Sequence, residues 1–384
     1  MKPIPQNSNY RTRVLSSLAE AGQPAWDALV SLQAEANPFL SYAFLHAMHE
    51  SGSASEDTGW QPQYLTLWQD DMLAAALPMY AKFHSYGEYV FDWAWADAYR
   101  RNGHEYYPKL LSAIPFTPVT GARLMARTDE ARAALLKALV DVQQASDLSS
   151  THILYPPADQ ALQLEAAGFM LRSGVQFHWQ NAGYADFEQF LDTLDQKKRK
   201  NIRAERRKVR EAGITLRQIR GRDLSEEDWQ FFKRCYDHTY RAHYSSPYLN
   251  LDFFQRIGQS MPENILMVIA EREGKPIASS LLIHDERRLY GRYWGAIEQH
   301  PCLHFETAYY QPLEFCISEK ITSFEGGAQG EHKMARGFLP QKTWSAHWLA
   351  HPGFADAVER FLAQEGQGIA AYMDELNDRN PFRK

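Results

Sequence analysis

The chain has 384 residues, 45% of them hydrophobic and 13% aromatic, and carries 47 acidic against 41 basic side chains for a net charge of -6. Such a length predicts more than one domain with room for a sizeable core, and the composition is that of a globular protein, not a disordered or fibrous one. A polyanion binder over the whole surface is excluded, so any such role must be local. Cys235, Cys302 and Cys316 show no C-x-x-C spacing, which fits a reducing compartment better than a disulfide framework. The N-terminal MKPIPQNSNYRTRV has no apolar signal core, and no run approaches the ~18 apolar residues of a membrane span, so a cytoplasmic location is expected.

In chain order, PAWDALVSLQ and LSYAFLHAMHES have helical spacing. QYLTLWQ, MLAAALPMYAK and GEYVFDW read as strands, and AYRRNGHEYYPKLLSA as a helix running to Pro108 or beyond it. RLMAR predicts a short strand. DEARAALLKALVDVQQA predicts an amphipathic helix, its dipole complemented by Asp129 and Glu130. HILYPP is a strand and ADQALQLEAAGF a helix closed by Gly168. A second cycle then begins with the strand VQFHWQNAG. FEQFLDTLDQKKRKNIRAERRKVREAG reads as one long helix ended by Gly213, ITLRQI as a strand, and LSEEDWQFFKRCYDHTYRAH as a helix opened by a capping box of Ser225 and Asp228. Three strands follow, ILMVIAERE, KPIASSLLIHD and RLYGRYWGAIE. The helix FETAYYQPLEFCISEK comes next, and FADAVERFLAQEGQGIAAYMDELN closes the chain as a helix. Two such cycles predict an α/β chain with mixed sheets, in two domains of similar design, 1-172 and 173-384, joined near Phe169 to Val175.

The densest chemistry lies in FEGGAQGEHKMARGF, Phe324 to Phe338. A hydrophobic run stops at Gly326 and Gly327, which allow positive φ or close approach of a ligand to the backbone. Strand carboxyl ends are where ligands sit in α/β folds. Glu325 or Glu331 is the candidate general base, with His332 also able to titrate near neutral pH. Gln329, Lys333 and Arg336 are candidates to hold the substrate, the two cations through an anionic group. No phosphate-loop pattern is present. A solvated turn is the alternative reading of the same stretch.

In QKKRKNIRAERRKVR, Gln196 to Arg210, nine residues are Lys or Arg and Glu205 is the single acid. At helical spacing Lys197, Lys200, Arg203 and Arg207 concentrate positive charge, a candidate site for the phosphates of CoA or of RNA, against the alternative of a solvated helix face. Asp92, Trp95 and Tyr99, with Arg292 and Trp294, sit at expected strand ends and are candidates for the wall of a cleft, although aromatics at such density more often build a core. His300 and His304 are four apart, but Pro301 interrupts them and no metal is expected. The G-x-S-x-G elbow of a serine hydrolase is missing.

NPFLSYAFLHAMHESG, LPMYAKFHSYGEYVFDWAWADAYRRNGHEYYPKLLSAIPFTPVTGARL and FEGGAQGEHKMARGFLPQKTWSAHW together resemble the FemAB-like branch of the GNAT acyltransferase superfamily, a proteobacterial group connected with peptidoglycan biosynthesis or recognition. The resemblance spans nearly the whole chain and implies two tandem GNAT-like acyltransferase domains. It implies an N-acyltransferase that moves an acyl group from acyl-CoA, such as acetyl-CoA, to a primary amine of a small molecule or peptide entering a cleft near Gly326 to Gly337, between the two halves. No metal would be needed. The segment matching the CoA pyrophosphate loop of that superfamily, EQHPCLHFETAYY, contains no glycine. Two alternatives stay open: an aminoacyl-tRNA-dependent transferase acting on a peptidoglycan precursor, with tRNA as partner, and a non-catalytic muropeptide-recognition protein.

Overall fold

A computed structural model describes residues 9–327 and 330–383, and the chain divides into two compact units. The first comprises Met1–Gly174 together with Lys342–Ala371, the second Val175–Gln341 with Tyr372–Lys384. The sequence partition placed 173-384 in one domain. The chain instead returns to the first unit, because Ser345 to Leu349 pair antiparallel with Ser150–Leu154.

In the first unit, Arg11–Leu15, Tyr64–Gln69, Met72–Leu77 and Met125–Ala126 form a four-stranded antiparallel sheet. The helix Asp129–Ala145 packs on it. Its Ala131, Ala134, Leu135, Ala138, Leu139 and Val142 recur at helical spacing and share a core with Leu65, Leu67, Ala75 and Leu77. The other strands run Trp60–Pro62, Tyr80–Lys82, Lys109–Ser112, Ser150–Leu154 and then the returning strand, with Lys109–Ser112 and Ser150–Leu154 parallel.

Several expected elements differ here. MLAAALPMYAK is two strands, since Pro78 has no N–H to give a ladder. GEYVFDW is not a strand but part of an irregular loop, residues 83–92. What organises that loop is the buried Lys109 ammonium, which donates to Ser85 Oγ and Glu88 Oε2 at 2.8 Å each and to Asp92 Oδ2 at 2.5 Å. Tyr106 OH donates to the same Asp92 oxygen at 2.7 Å. The helix expected from Ala98 onward is displaced toward the N-terminus, to Trp93–Arg101, and Lys109–Ser112 is a strand.

In the second unit, the strands run in the order Ile214–Arg220, Ile265–Arg272, Lys275–His284, Arg288–Ala296, Ser323–Glu325, and then the part of Met170–Gln180 that belongs to this unit. All neighbours are antiparallel except Arg288–Ala296 with Ser323–Glu325, which are parallel. Phe177, Trp179, Phe190, Leu266, Leu282, Leu289, Leu313 and Phe324 meet in the core. The long helix expected from Phe187 is two, Phe187–Thr193 and Gln196–Glu211, broken at Leu194 and Asp195, where both residues are extended in ψ. Glu226–Ala242 begins with the capping box of Ser225 and Asp228. The helix expected at FETAYYQPLEFCISEK starts at Leu303 and carries a π turn, Glu306–Tyr310, immediately before Gln311–Ser318. Pro312 accounts for that turn: it lacks the N–H that would bond the preceding turn of a regular helix.

Candidate functional site

The motif begins where two parallel strands part. Arg288, Leu289 and Tyr290 pair with Ser323, Phe324 and Glu325, after which the short strand ends and its partner continues to Ala296. On the other side Glu325 is opposite His178. Residues opposite one another share a face of the sheet, so Glu325, Tyr290 and His178 lie side by side at the strand ends. His178 Nε2 is 3.8 Å from Glu325 Oε2 and 3.4 Å from Gln176 Oε1. Burial, followed by the charges of Arg288 and Lys333, lowers the His178 pKa to about 4, so the ring is neutral at pH 7. Burial and the Glu325 charge raise the Tyr290 phenol well above its ordinary value.

Gly326 is closely packed. A Cβ there would stand 3.0 Å from Lys333 Cδ and 3.1 Å from the Phe338 ring. The Lys333 stem crosses that space and its ammonium donates to Gly327 O at 2.9 Å. Lys333 is only 2% exposed, and burial lowers its pKa to about 8. It faces no carboxylate within ion-pair distance among the described residues. The 3-10 turn Glu331–Arg336, closed by Gly337 at φ 85°, puts Lys333, Met334 and Arg336 inward and Glu331 and His332 outward.

The remaining motif residues have partners of their own. Arg336 is buried, lies 3.5 Å over the Phe305 ring, and donates to Glu205 Oε2 and to His332 O, each at 2.8 Å. Glu205, the lone acid of the basic helix, also accepts from Tyr310 OH. Arg336 therefore ties the motif to the basic helix and does not present its charge to a ligand. His332 Nε2 lies 3.2 Å from Tyr309 OH, and burial with the Arg336 and Lys333 charges lowers its pKa. Glu331 accepts from Tyr372 OH and from Arg379, both at 2.7 Å, and these bonds hold its carboxyl below the usual range. Gln329 lies outside the described residues. Glu331 is thus an exposed ion-paired carboxylate, and Glu331→Gln should leave both transfer rate and melting temperature almost unchanged. A rate loss of more than about tenfold would return the base role to it.

The wall residues separate. Asp92, Trp95 and Tyr99 belong to the interior of the first unit. Asp92 serves Lys109, Trp95 packs edge-on against His347 with centroids 5.0 Å apart, and Tyr99 stacks on Phe354 at 3.9 Å. These contacts make them core rather than wall. Arg292 and Trp294 lie in the second unit on the strand that outruns Glu325. Trp294 Nε1 donates to Thr307 Oγ1 at 2.8 Å, and Arg292 lies over Tyr293 at 5.1 Å.

The basic helix lines a groove with Arg199, Lys200, Arg203 and Arg207, joined by Arg383 from far along the chain and by the acid Asp192. Lys197 is exposed on the same helix but outside that lining. Sequence reasoning missed His178, Tyr290 and Arg383. The first carried a readable signal: in VQFHWQ, Gln176, His178 and Gln180 alternate with Val175, Phe177 and Trp179, which puts three polar groups on one face. Arg383 is a single basic residue after a helix and carries none.

The parted parallel strands, in a mixed sheet flanked by helices, are those of an α/β protein built from two tandem GNAT-like domains. The chain belongs to the FemAB-like family, described as peptidoglycan biosynthesis/recognition, whose profile matches residues 17–384. Among solved structures it is similar to FemX, with 11% identity, a TM-score of 0.56, and coverage of 91% of this chain and 100% of that one. L-PGS from Bacillus licheniformis aligns at 12% identity and a TM-score of 0.54 over 88% of this chain and 96% of that one. The C-terminal domain of a putative lysylphosphatidylglycerol synthetase from Agrobacterium fabrum aligns at 9% identity and a TM-score of 0.51, over 88% and 96%. At these identities the likeness is one of fold. No curated protein matches the sequence. No helix among the described residues is long and apolar enough to cross a membrane.

Proposed function

We propose that the protein is an amide-forming aminoacyltransferase, taking an aminoacyl group from the ester of a charged tRNA and passing it to an amine of a peptidoglycan precursor. The observation that carries the choice of donor is Glu306. A CoA pyrophosphate is ordinarily held by the N–H groups at a helix N-terminus. Here the corresponding helix starts at Leu303 without glycine, and its first turns hold a Glu306 carboxylate that is 3% exposed and accepts from Arg206 at 2.9 Å. That helix end is already occupied by the Glu306 carboxylate and the Arg206 guanidinium it is paired with. The basic groove, in contrast, offers cations to a phosphate chain.

The chemistry is direct. The amine nitrogen attacks the ester carbonyl, the carbon–oxygen bond to the ribose breaks, and a carbon–nitrogen bond forms. Glu325 takes the proton the amine must lose and returns it to the leaving ribose oxygen. The strand beyond Tyr290, freed from its parallel partner, supplies backbone N–H groups for the oxyanion, and the Lys333 ammonium adds positive charge nearby.

A second reading, transfer from acyl-CoA, is favoured only by the superfamily. Radiolabelled aminoacyl-tRNA and radiolabelled acetyl-CoA, each incubated with the protein and a peptidoglycan-precursor peptide, separate the two. Base-stable label in the peptide from the tRNA donor is expected. Label from acetyl-CoA alone would install the second reading. Peptide binding without transfer from either donor would leave a recognition protein.

A further inference from the structure

We propose that Tyr240 and Tyr293, with Arg292 beside them, form the acceptor subsite of the second unit and hold a carboxylate of the molecule whose amine reaches Glu325. The parts played by the amine and by Glu325 rest on the transfer reading; the place and chemistry of the subsite rest on the fold.

An irregularity in one strand puts the subsite where it is. Arg288–Ala296 pairs with Lys275–His284, with Tyr290 opposite Ile283 and Gly291 opposite Leu282, but with Tyr293 opposite Leu281. Arg292 is therefore an extra residue, a β-bulge. Residues three apart in a regular strand point to opposite faces. The bulge turns Tyr293 back to the face that carries Tyr290, and Glu325 stands beside Tyr290 on that face. Two partner residues separate Leu281 from Ile283, so Tyr293 lies about 7 Å along the strand from Tyr290. One small acceptor can span that separation.

Phenols build this part of the face. Tyr293 packs edge-on against Tyr236 with ring centroids 5.3 Å apart, and Tyr240, one helical turn beyond Tyr236, tilts against it at 4.7 Å. Gly295 lets the helix Glu226–Ala242 lie this close, since a Cβ there would stand 2.1 Å from Cys235 O. Tyr236 is core, 1% exposed, and its hydroxyl accepts from Leu249 N at 3.2 Å. Tyr240 and Tyr293 are only half-buried, so the outer edge of the cluster meets solvent.

The groups at that edge form a donor set. Burial and then the Tyr293 phenol hold Tyr240 up at about 12, so it keeps its proton at pH 7. The Arg292 guanidinium lies 5.1 Å over the Tyr293 ring, with Nη2 3.4 Å from the Tyr293 hydroxyl, and its charge acts on Tyr240 as well. Asp237, on the same helix, is engaged by Lys233 at 2.5 Å. An ammonium at this edge would meet a guanidinium. A carboxylate would meet phenolic O–H and guanidinium N–H donors, the pairing that gives charge-assisted bonds. The two ends of the acceptor are thereby sorted: its amine to Glu325, its carboxylate to the tyrosines.

The test is NMR titration of the full chain with Nα-acetyl-lysine and with the primary amide of the same compound, which keeps the amine and the size but removes the charge. The acid should bind about tenfold more tightly than the amide. Tyr240→Phe and Tyr293→Phe, each deleting one hydroxyl, should weaken the acid by about three- to tenfold and leave the amide unchanged. Arg292→Gln should abolish the difference between the two compounds, and Tyr244→Phe, at a fully exposed tyrosine, should preserve it. No binding of the acid, equal binding of acid and amide, or discrimination that survives all three subsite variants overturns the proposal. The two readings fail separately. Carboxylate-dependent binding that needs these residues, without transfer from any donor, keeps the subsite and removes the enzyme; transfer to acid and amide at equal KM does the reverse.

Discussion

Glu325→Gln is expected to lower the rate of transfer by about 10²- to 10⁴-fold, the usual contribution of a positioned general base. Three features single this carboxylate out. It ends a strand, it is 6% exposed, and it is flanked across the sheet by Tyr290 and His178. His178 is a poor substitute, because a ring with a pKa of about 4 takes a proton weakly at pH 7. The isosteric amide keeps the size and half the acceptor capacity of the side chain, so the melting temperature should move little, and tRNA affinity should hold because the groove lies on other residues. Initial rates with labelled aminoacyl-tRNA decide it: a loss smaller than about threefold would remove Glu325 from the chemistry.

Lys109→Met should be the most destabilising change in the first unit, by about 3–5 kcal/mol, the range for removing one partner of a buried ion pair. Lys109 is fully buried, and the Glu88 and Asp92 side chains it joins are 2% and 3% exposed. Each of those carboxylates also has one buried oxygen, Glu88 Oε1 and Asp92 Oδ1, with no hydrogen-bond partner. Burial disfavours both anions. It pushes Glu88 up to about 7 against the attraction of Lys109, while at Asp92 the Lys109 charge, His152 and hydrogen bonds outweigh burial and the pKa falls. Without the ammonium both acids would be raised above their unfolded values near 4. Between those unfolded values and the raised ones the folded state holds protons that the unfolded state lacks, so lowering pH favours folding. The deficit of the variant, measured by denaturant unfolding, should be largest at neutral pH and shrink toward pH 5. A deficit below about 1 kcal/mol would mean that water, not Lys109, carries these carboxylates.

What could be read from the sequence was what local periodicity and capping determine. The helix Asp129–Ala145 shows its buried face as a repeat of Ala and Leu, Ser225 announces the helix it caps, and three adjacent strands carry their own turns. The loop at residues 83–92 could not be read, because its aromatic residues have strand propensity and the lysine that organises it is distant in sequence. The same holds at the site. FEGGAQGEHK marked the strand end, but only the fold shows Glu325 beside His178 and Tyr290, turns Glu331 outward to Arg379, and ties Arg336 to Glu205. Charge density identified the basic helix, yet which of its cations are neutralised depends on Asp192, Glu188 and Glu306, two of them before the helix and one far beyond it.

The returning strand has a consequence for how the protein is made. His152 and His347 touch through their Nδ1 atoms at 2.7 Å although 195 residues separate them. During synthesis, Ser150–Leu154 leaves the ribosome early with one edge bare, a strand that is fully buried in the finished protein and carries the polar Ser150, Thr151 and His152. The first unit cannot complete its sheet until residue 349 has emerged, by which time nearly all of the second unit is available to fold. Folding here is not strictly vectorial: the unit that begins first cannot close its sheet until most of the second has emerged. A fragment stopped at Gly174 would keep that bare edge indefinitely, and should aggregate rather than stand as a domain.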